Sequence, residues 1–341
     1  MPDTRTTLRA MALWAKTDLV TPMAIRAMAT LRLADHIAGG VTSIDELATV
    51  THTDPDALSR LVRFLTTDGI LVAAGPDDAD VALGELGELL RSDHPDGLRG
   101  WFDLEGWGGR LDRTVTDLLD VVRSGEPAYT RVHGRSVWDD FAANPGVAAS
   151  FARLMEDQAT TTAPHIVAGY DWSSTSSVVD VGGGTGVTAV WLAKAVPELT
   201  ITVVELPETA ATATKRFADM GLADRCAAIV GSAFDPLPGG ADAYLLARVI
   251  HDWPDVDAVR ILSRCRDAAG ETGRVLIIDG LMTDRTRRGL AAMDLQMLAL
   301  FGGRERTIAD YEDITTAAGL RIAGVEELPV WGRAIIECAA S

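Results

Sequence analysis

Asp180-Val181-Gly182-Gly183-Gly184-Thr185-Gly186 follows an apolar run and opens a helical stretch. That setting lets a backbone approach a ligand closely. Counting from Gly182, the third position is Gly184 but the sixth is Val187, where a dinucleotide fingerprint needs glycine. The G-x-G-x-G pattern, with Asp180 two positions ahead, suits a nucleoside ligand without pyrophosphate better than NAD. Glu205 closes the next apolar run, 25 residues after Asp180, where a carboxylate can accept from both ribose hydroxyls. The plainer alternative is a strand, turn and helix with a surface glutamate. Loop and acid falling together at the carboxyl edge of a sheet favour the binding site.

Those groups need a parallel α/β sheet behind them. From Val178 onward, strand-like and helical stretches alternate, with strands expected at 178–181, 201–204, 227–230, 243–247 and 275–278. Val256 to Ala269 reads as a crossover helix, and residues 321–327 and 333–338 as a closing β-hairpin. The first hundred residues read mostly helical. One helix is expected from Thr21-Pro22 to Gly39-Gly40, a second after Ser43 with Glu46 as a capping box, and a third from Asp54-Pro55 to Asp68-Gly69. A hairpin about Gly75-Pro76-Asp77-Asp78 completes a winged-helix outline. The helical, aromatic-rich stretch from Trp101 to about Tyr170 then leads into the sheet, and the boundary is expected at 165/166: a helical N-terminal domain over 1–165 and a Rossmann-like domain over 166–341.

At 341 residues and 47% apolar, the chain can bury a large core in two domains. A net charge of −18 argues against nucleic acid or an anionic membrane as main partner. A winged-helix regulator is the rival from another class. Its candidate reading helix carries Asp54, Asp56 and Asp68 against only Arg60 and Arg63, a poor match to phosphates. Dimerisation is the better role for that module. Three cysteines without metal spacing suit a reducing cytoplasm, and no signal peptide or membrane span is expected. No His/Cys/Asp cluster has metal spacing, so no metal is expected.

The segments "VVDVGGGTG", "VVELPE", "GSAFDPLP", "LLARVIHDWPD", "RVLIIDGLM" and "MDLQMLALFGGRERTIADYEDITTAAGL" resemble, in order, the motifs of the class I S-adenosylmethionine-dependent O-methyltransferases. The branch is that of plant phenolic enzymes and actinobacterial natural-product tailoring enzymes. "ADHIAGGVTSIDELA", "GELLRSD" and "FARLMEDQ" extend the resemblance over nearly the whole chain. It implies a homodimer formed through the N-terminal domain, with Asp180, Gly182, Gly184, Glu205 and Leu206 around the cofactor's methionine and ribose. Ser232, Ala233 and Phe234 should lie by adenine; Ser232 stands where the family usually has aspartate. Ala247 replaces a usual lysine or serine, with Arg248 beside it, and both are expected at the cofactor. Phe151, Met155, Asp252 and Met297 are expected at the acceptor.

His251 is the expected general base. An imidazole titrates near neutral pH, at roughly 6.5, and can take a phenolic proton within hydrogen-bond reach. Asp279 and Glu305 match the carboxylates that orient it; Asp279 is shorter than the glutamate of plant members. The other five histidines have no comparable setting. The resemblance thus implies methylation of a hydroxyl, expected to be phenolic, on an aromatic secondary metabolite, releasing S-adenosylhomocysteine. It also extends to tailoring proteins that keep the cofactor but catalyse decarboxylation, hydroxylation or a pericyclic step.

Overall fold

A computed structural model describes residues 4–75, 80–285 and 288–341, residues 4–7 by backbone alone. The chain forms two units, Met1–Asp112 and Arg113–Ser341. The first contains α1 (Thr4–Lys16), α2 (Val20–Thr30), α3 (Leu33–Ala38), α4 (Ile44–Thr51), α5 (Pro55–Thr67), β1 (Leu71–Ala74), β2 (Asp80–Leu83), α6 (Glu85–Glu88) and α7 (Arg99–Phe102), and runs into α8 (Trp107–Val115). The single helix expected between Pro22 and Gly39 is two: Arg32 takes φ 55 between α2 and α3. The break lets Leu33, Ala34 and Ile37 join the core already entered by Ala24, Met28 and Ala29. Ser43 caps α4 by accepting from Glu46 N, and Asp54 caps α5 by accepting from Ala57 N, with Pro55 in the first turn. β1 and β2 pair antiparallel, Leu71 opposite Leu83. Of the expected turn, Pro76, Asp77 and Asp78 lie outside the described residues.

The second unit opens with helices: α9 (Leu118–Ser124), α10 (Tyr129–His133), α11 (Val137–Ala143) and the long α12 (Pro145–Ala168). The units divide at Asp112/Arg113, not at 165/166. The reason is packing: Ile166, near the end of α12, is buried in one core cluster with Val178, Leu245 and Leu276 of the sheet. α12 therefore packs in one core with the strands that follow.

Those strands are β3 (Ser177–Val181), β4 (Thr200–Glu205), β5 (Cys226–Val230), β6 (Ala243–Ala247), β7 (Arg274–Met282), β8 (Arg306–Thr307), β9 (Leu320–Glu327) and β10 (Arg333–Ala340). Between them lie α13 (Val187–Ala195), α14 (Pro207–Asp219), α15 (Asp255–Ala269), α16 (Arg288–Phe301) and α17 (Ile308–Ala317). The sheet order is β5-β4-β3-β6-β7-β10-β9. Strands β3 to β7 are parallel, and β10 and β9 close the edge antiparallel, as the hairpin reading expects. The short β8 adds to the end of β7, Leu281 opposite Arg306; its two residues give no pattern to read in the sequence. The chain leaves β3 toward β4 and β5, then returns to lay β6 on the other side of β3. The carboxyl ends of β3 and β6 thus flank a topological switch point, where open α/β sheets bind ligands.

Gly186, at the N-cap of α13, has φ 80, and a Cβ there would lie 2.7 Å from the ring of buried Phe217. Gly221 has φ 67 with open space around it. We expect Gly221→Ala to cost only the left-handed strain, about 1–2 kcal/mol. Gly186→Ala should cost clearly more in urea unfolding, because the clash adds to that strain.

Candidate active site

At the switch point, the glycine loop after β3 meets the turn after β6. A Cβ at Gly182 would fall 2.9 Å from Val249 Cγ2. Gly182 and Gly184 take φ 71 and 59, and Gly182 N–H donates to Val204 O at 2.9 Å. Beneath the loop, Asp180 is fully buried, and neither carboxylate oxygen has a hydrogen-bond partner among the described residues. Burial, then the neighbouring Glu205 charge, pushes Asp180 up to about 7. Glu205 accepts from Gly184 N at 3.2 Å and Leu206 N at 2.6 Å, and burial outweighs these bonds to raise its pKa. Neither acid has an ion-pair partner among the described residues. Two such acids beside a positive-φ loop fit a ligand that is cationic and carries hydroxyls.

α12 braces the loop. Glu156 accepts from Arg216 Nη2 at 2.5 Å and from Thr185 Oγ1 at 3.3 Å, while Arg216 Nε donates to Thr185 O at 2.9 Å. Ser232 Oγ accepts from Phe234 N at 3.3 Å, so the hydroxyl standing for the family's aspartate first serves its own turn. Phe234 meets Trp253 edge-on at 4.7 Å under the Arg260 guanidinium, and Ala233 packs beside it. Leu206 caps α14 and is half exposed. Ala247 ends β6 without a polar side chain. Arg248, expected at the cofactor, reaches Met155 Sδ on α12 at 3.3 Å.

His251 lies in a short 3-10 turn, Ile250–Asp252, and is buried. Its Nδ1 is 2.8 Å from Glu305 Oε1. A carboxylate only accepts, so this bond puts the proton on Nδ1 and leaves Nε2 as the basic atom. Nε2 lies 3.5 Å from Asp252 Oδ1. Burial, the largest influence on the ring, favours its neutral form, but the charges of Asp252, Asp279 and Glu305 outweigh it and raise the pKa. Of the two carboxylates expected to orient His251, only Glu305 bonds it. Asp279 accepts instead from Tyr311 OH at 3.3 Å, and burial pushes it up to about 6. The shorter side chain explains the change of partner. Gly280 makes room for Glu305: a Cβ there would lie 2.4 Å from Oε2.

Three supporting residues escaped the sequence reading. Arg306, fully buried, donates to the carbonyls of Ile250 and Trp253 on either side of the His251 turn, and to Asp255. Asp294 accepts from Glu305 N at 2.9 Å. Tyr311 anchors Asp279. Arg306 lies within the "GGRERT" stretch, a signal that could have found it. Met297 is buried on α16, and its carbonyl accepts from Gly303 N. Phe151 packs on Phe141 at 4.9 Å, and Trp138 stacks on Trp253 at 6.3 Å and lies 6.0 Å from Phe301. One of these rings, Trp253, stands two residues after His251.

Residues 115–321 match the O-methyltransferase domain family, and residues 16–92 the O-methyltransferase dimerisation domain. The chain belongs to the O-methyltransferase family. The winged-helix-like segment falls within that dimerisation domain, which is the role preferred above over DNA binding. A 2,7-dihydroxy-5-methyl-1-naphthoate 7-O-methyltransferase of Streptomyces carzinostaticus is 41% identical over 98% of this chain and 97% of its own. Aclacinomycin 10-hydroxylase RdmB of Streptomyces purpurascens is 43% identical over 90% of this chain and 83% of its own. The crystal structure of NcsB1 with S-adenosylmethionine and 2-hydroxy-5-methyl naphthoic acid superposes with TM-score 0.89, at 41% identity, over 96% of this chain and 98% of that one.

Glu305→Gln keeps an acceptor for Nδ1 but removes a charge that raises the His251 pKa. NMR titration of the imidazole should show that pKa falling in the variant. A raised folded pKa means stability present below about 6.5 and lost as pH climbs through the folded value. The stability gap between wild type and Glu305→Gln should therefore narrow as pH rises above that range.

Proposed function

We propose that this chain transfers a methyl group from S-adenosylmethionine to a phenolic hydroxyl of an aromatic natural product, with His251 as general base. The observation carrying the reading is the buried His251–Glu305 pair, 2.8 Å apart, beside a glycine loop over Asp180, which has no hydrogen-bond partner among the described residues, and Glu205, which bonds only backbone N–H groups. The bound sulfonium supplies an electrophilic methyl group. Gly182, Gly184 and Glu205 would hold that nucleoside, with Asp180 and Glu205 supplying negative potential and Ser232, Ala233 and Phe234 the adenine end. Trp138, Trp253 and Phe151 would wall an aromatic acceptor. His251 Nε2 takes the hydroxyl proton as the oxygen attacks, and Glu305 keeps the ring in the tautomer that can do so. Much of the rate would come from alignment, which the braced loop and the Arg306-held turn preserve.

One relative named for hydroxylation keeps a second reading alive, in which the sulfonium is a fixed charge rather than a donor. Formation of S-adenosylhomocysteine in step with product favours transfer; product without it favours the second reading. Purified protein with labelled S-adenosylmethionine should label an aromatic acceptor. His251→Ala should bind S-adenosylhomocysteine normally but lose about 10²–10⁴-fold in kcat, the usual worth of general-base catalysis. Wild-type kcat/KM should rise with pH through a midpoint above 6.5, because the base must be neutral. A flat profile would remove the histidine's role.

α1 and the chain after it expose Leu8, Met11, Leu13, Trp14, Leu19 and Val20, with Trp14 80% exposed. Such a run of large apolar side chains needs a cover. We infer a homodimer through the N-terminal unit. Sedimentation should give twice the 36.2 kDa chain mass, and Trp14→Glu with Leu19→Glu should shift it toward monomer.

A further inference from the structure

Between β6 and the His251 turn stands a guanidinium that the mechanism leaves unused. Arg248 takes φ 59, a conformation side-chain-bearing residues seldom adopt, and its N–H is tied to Ile278 O at 2.9 Å. The side chain brings five N–H donors into the site. Among the described residues its hydrogen bond goes to Met155 Sδ, a thioether and a weak acceptor. Two buried arginines of the same unit are better served. Arg306 binds Asp255 and backbone carbonyls, and Arg333 donates to Thr162 Oγ1 and to Gln158 Oε1.

The acids near Arg248 each meet another group through one oxygen, while Asp279 Oδ1 and Glu305 Oε2 have no hydrogen-bond partner among the described residues. Glu305 Oε1 holds His251 Nδ1, Asp279 Oδ2 accepts from Tyr311, and Asp252 Oδ1 faces His251 Nε2. Their charges oppose the lowering of the Arg248 pKa, of which burial is the largest cause. Arginine keeps its proton even so. Met155, Gln158 and Thr162 follow one another at helical spacing along one face of α12, so that face carries both Arg248 and Arg333. A charged planar fork with spare donors in a partly dry site is what carboxylate recognition uses. Arg248 and His251 also leave the same four-residue segment, with Cα atoms at most about 10 Å apart. That is within the span of a hydroxyl and a carboxylate on one fused aromatic system.

We propose that Arg248 reads a carboxylate on the acceptor, so that the substrate class is an aromatic hydroxy acid with its hydroxyl at His251 and its carboxylate on the Arg248 guanidinium. This rests on the methyl-transfer reading above. The rival anion is the amino-acid carboxylate of the cofactor itself; the reach of Arg248 to Met155, on the expected acceptor wall, favours the acceptor.

The test is calorimetry on the full chain loaded with S-adenosylhomocysteine, titrating a panel of hydroxybenzoic and hydroxynaphthoic acids and their primary amides. At least one acid should bind tenfold or more tightly than its amide. Arg248→Met should bring that acid down to the amide's affinity while amide and S-adenosylhomocysteine binding stay within twofold, and Arg248→Lys should recover part of the preference. The proposal is overturned if no acid out-binds its amide on the wild type, if Arg248→Met weakens acid and amide alike, or if it abolishes S-adenosylhomocysteine binding. The wild-type comparison stands even if Arg248→Met does not fold. A wild type that never binds S-adenosylhomocysteine overturns the methyl-transfer reading itself, and this inference with it.

Discussion

Two turns meet at the carboxyl ends of β3 and β6 with no space for a methyl group between them. Gly182 and Val249 are the touching residues, and any Cβ at Gly182 would press on the valine. The rest of the site follows from that contact. It brings a loop shaped for a nucleoside within a few residues of the buried imidazole, and it exists because the strand order reverses there. Each turn then needs its own brace. Glu156 and Arg216 hold the glycine loop from α12 and α14, and Arg306 holds the His251 turn by its flanking carbonyls. A shift in either brace would move one half of the chemistry against the other.

The sequence made the sheet legible because its strands are short apolar runs separated by turn residues, and all seven expected strands are present within a few residues. The positions of the glycine loop and Glu205 were legible for the same reason: each stands at the end of a strand. The His251–Glu305 pair was readable only through family resemblance, since 54 residues separate the two and no local pattern links them. The partner of Asp279 was not readable at all. A carboxylate one methylene shorter changes what it can reach, and Tyr311 comes from α17, an element whose placement depends on packing. The expected boundary at 165/166 and the compact units, divided at Asp112/Arg113, differ because the core reaches back through Ile166 into the helix before the sheet.

Charge is distributed unevenly in the second unit. His251, Asp279 and Glu305 form one buried group with the partly exposed Asp252 beside it, and Arg248, Arg306 and Arg333 lie near it. Burying such groups costs several kcal/mol per unpaired ion, so the partners of each matter. These differ in kind. Arg306 is saturated by carbonyls and Asp255, which makes it structural support. Arg333 is pushed down to about 9, chiefly by burial and then by the like charge of Arg248, while its hydrogen bonds go to neutral side chains on α12. Arg248 has the thinnest set of partners of the three, which is why it is the one proposed to meet a ligand.

The same accounting bears on what the histidine is for. A site that needed the sulfonium only as a fixed positive charge could leave the opposite wall apolar, with lower desolvation cost. Here the wall contains an imidazole held by one specific nitrogen, with the partner carboxylate itself positioned by Asp294 and given room by Gly280. Tautomer control has a consequence only when the second nitrogen must accept a proton or present a lone pair in a set direction. The three carboxylates around the ring also raise its affinity for that proton against the pull of burial. Together these features support the proposal that His251 receives a proton at Nε2, the service that an attacking hydroxyl requires and a spectator ligand does not.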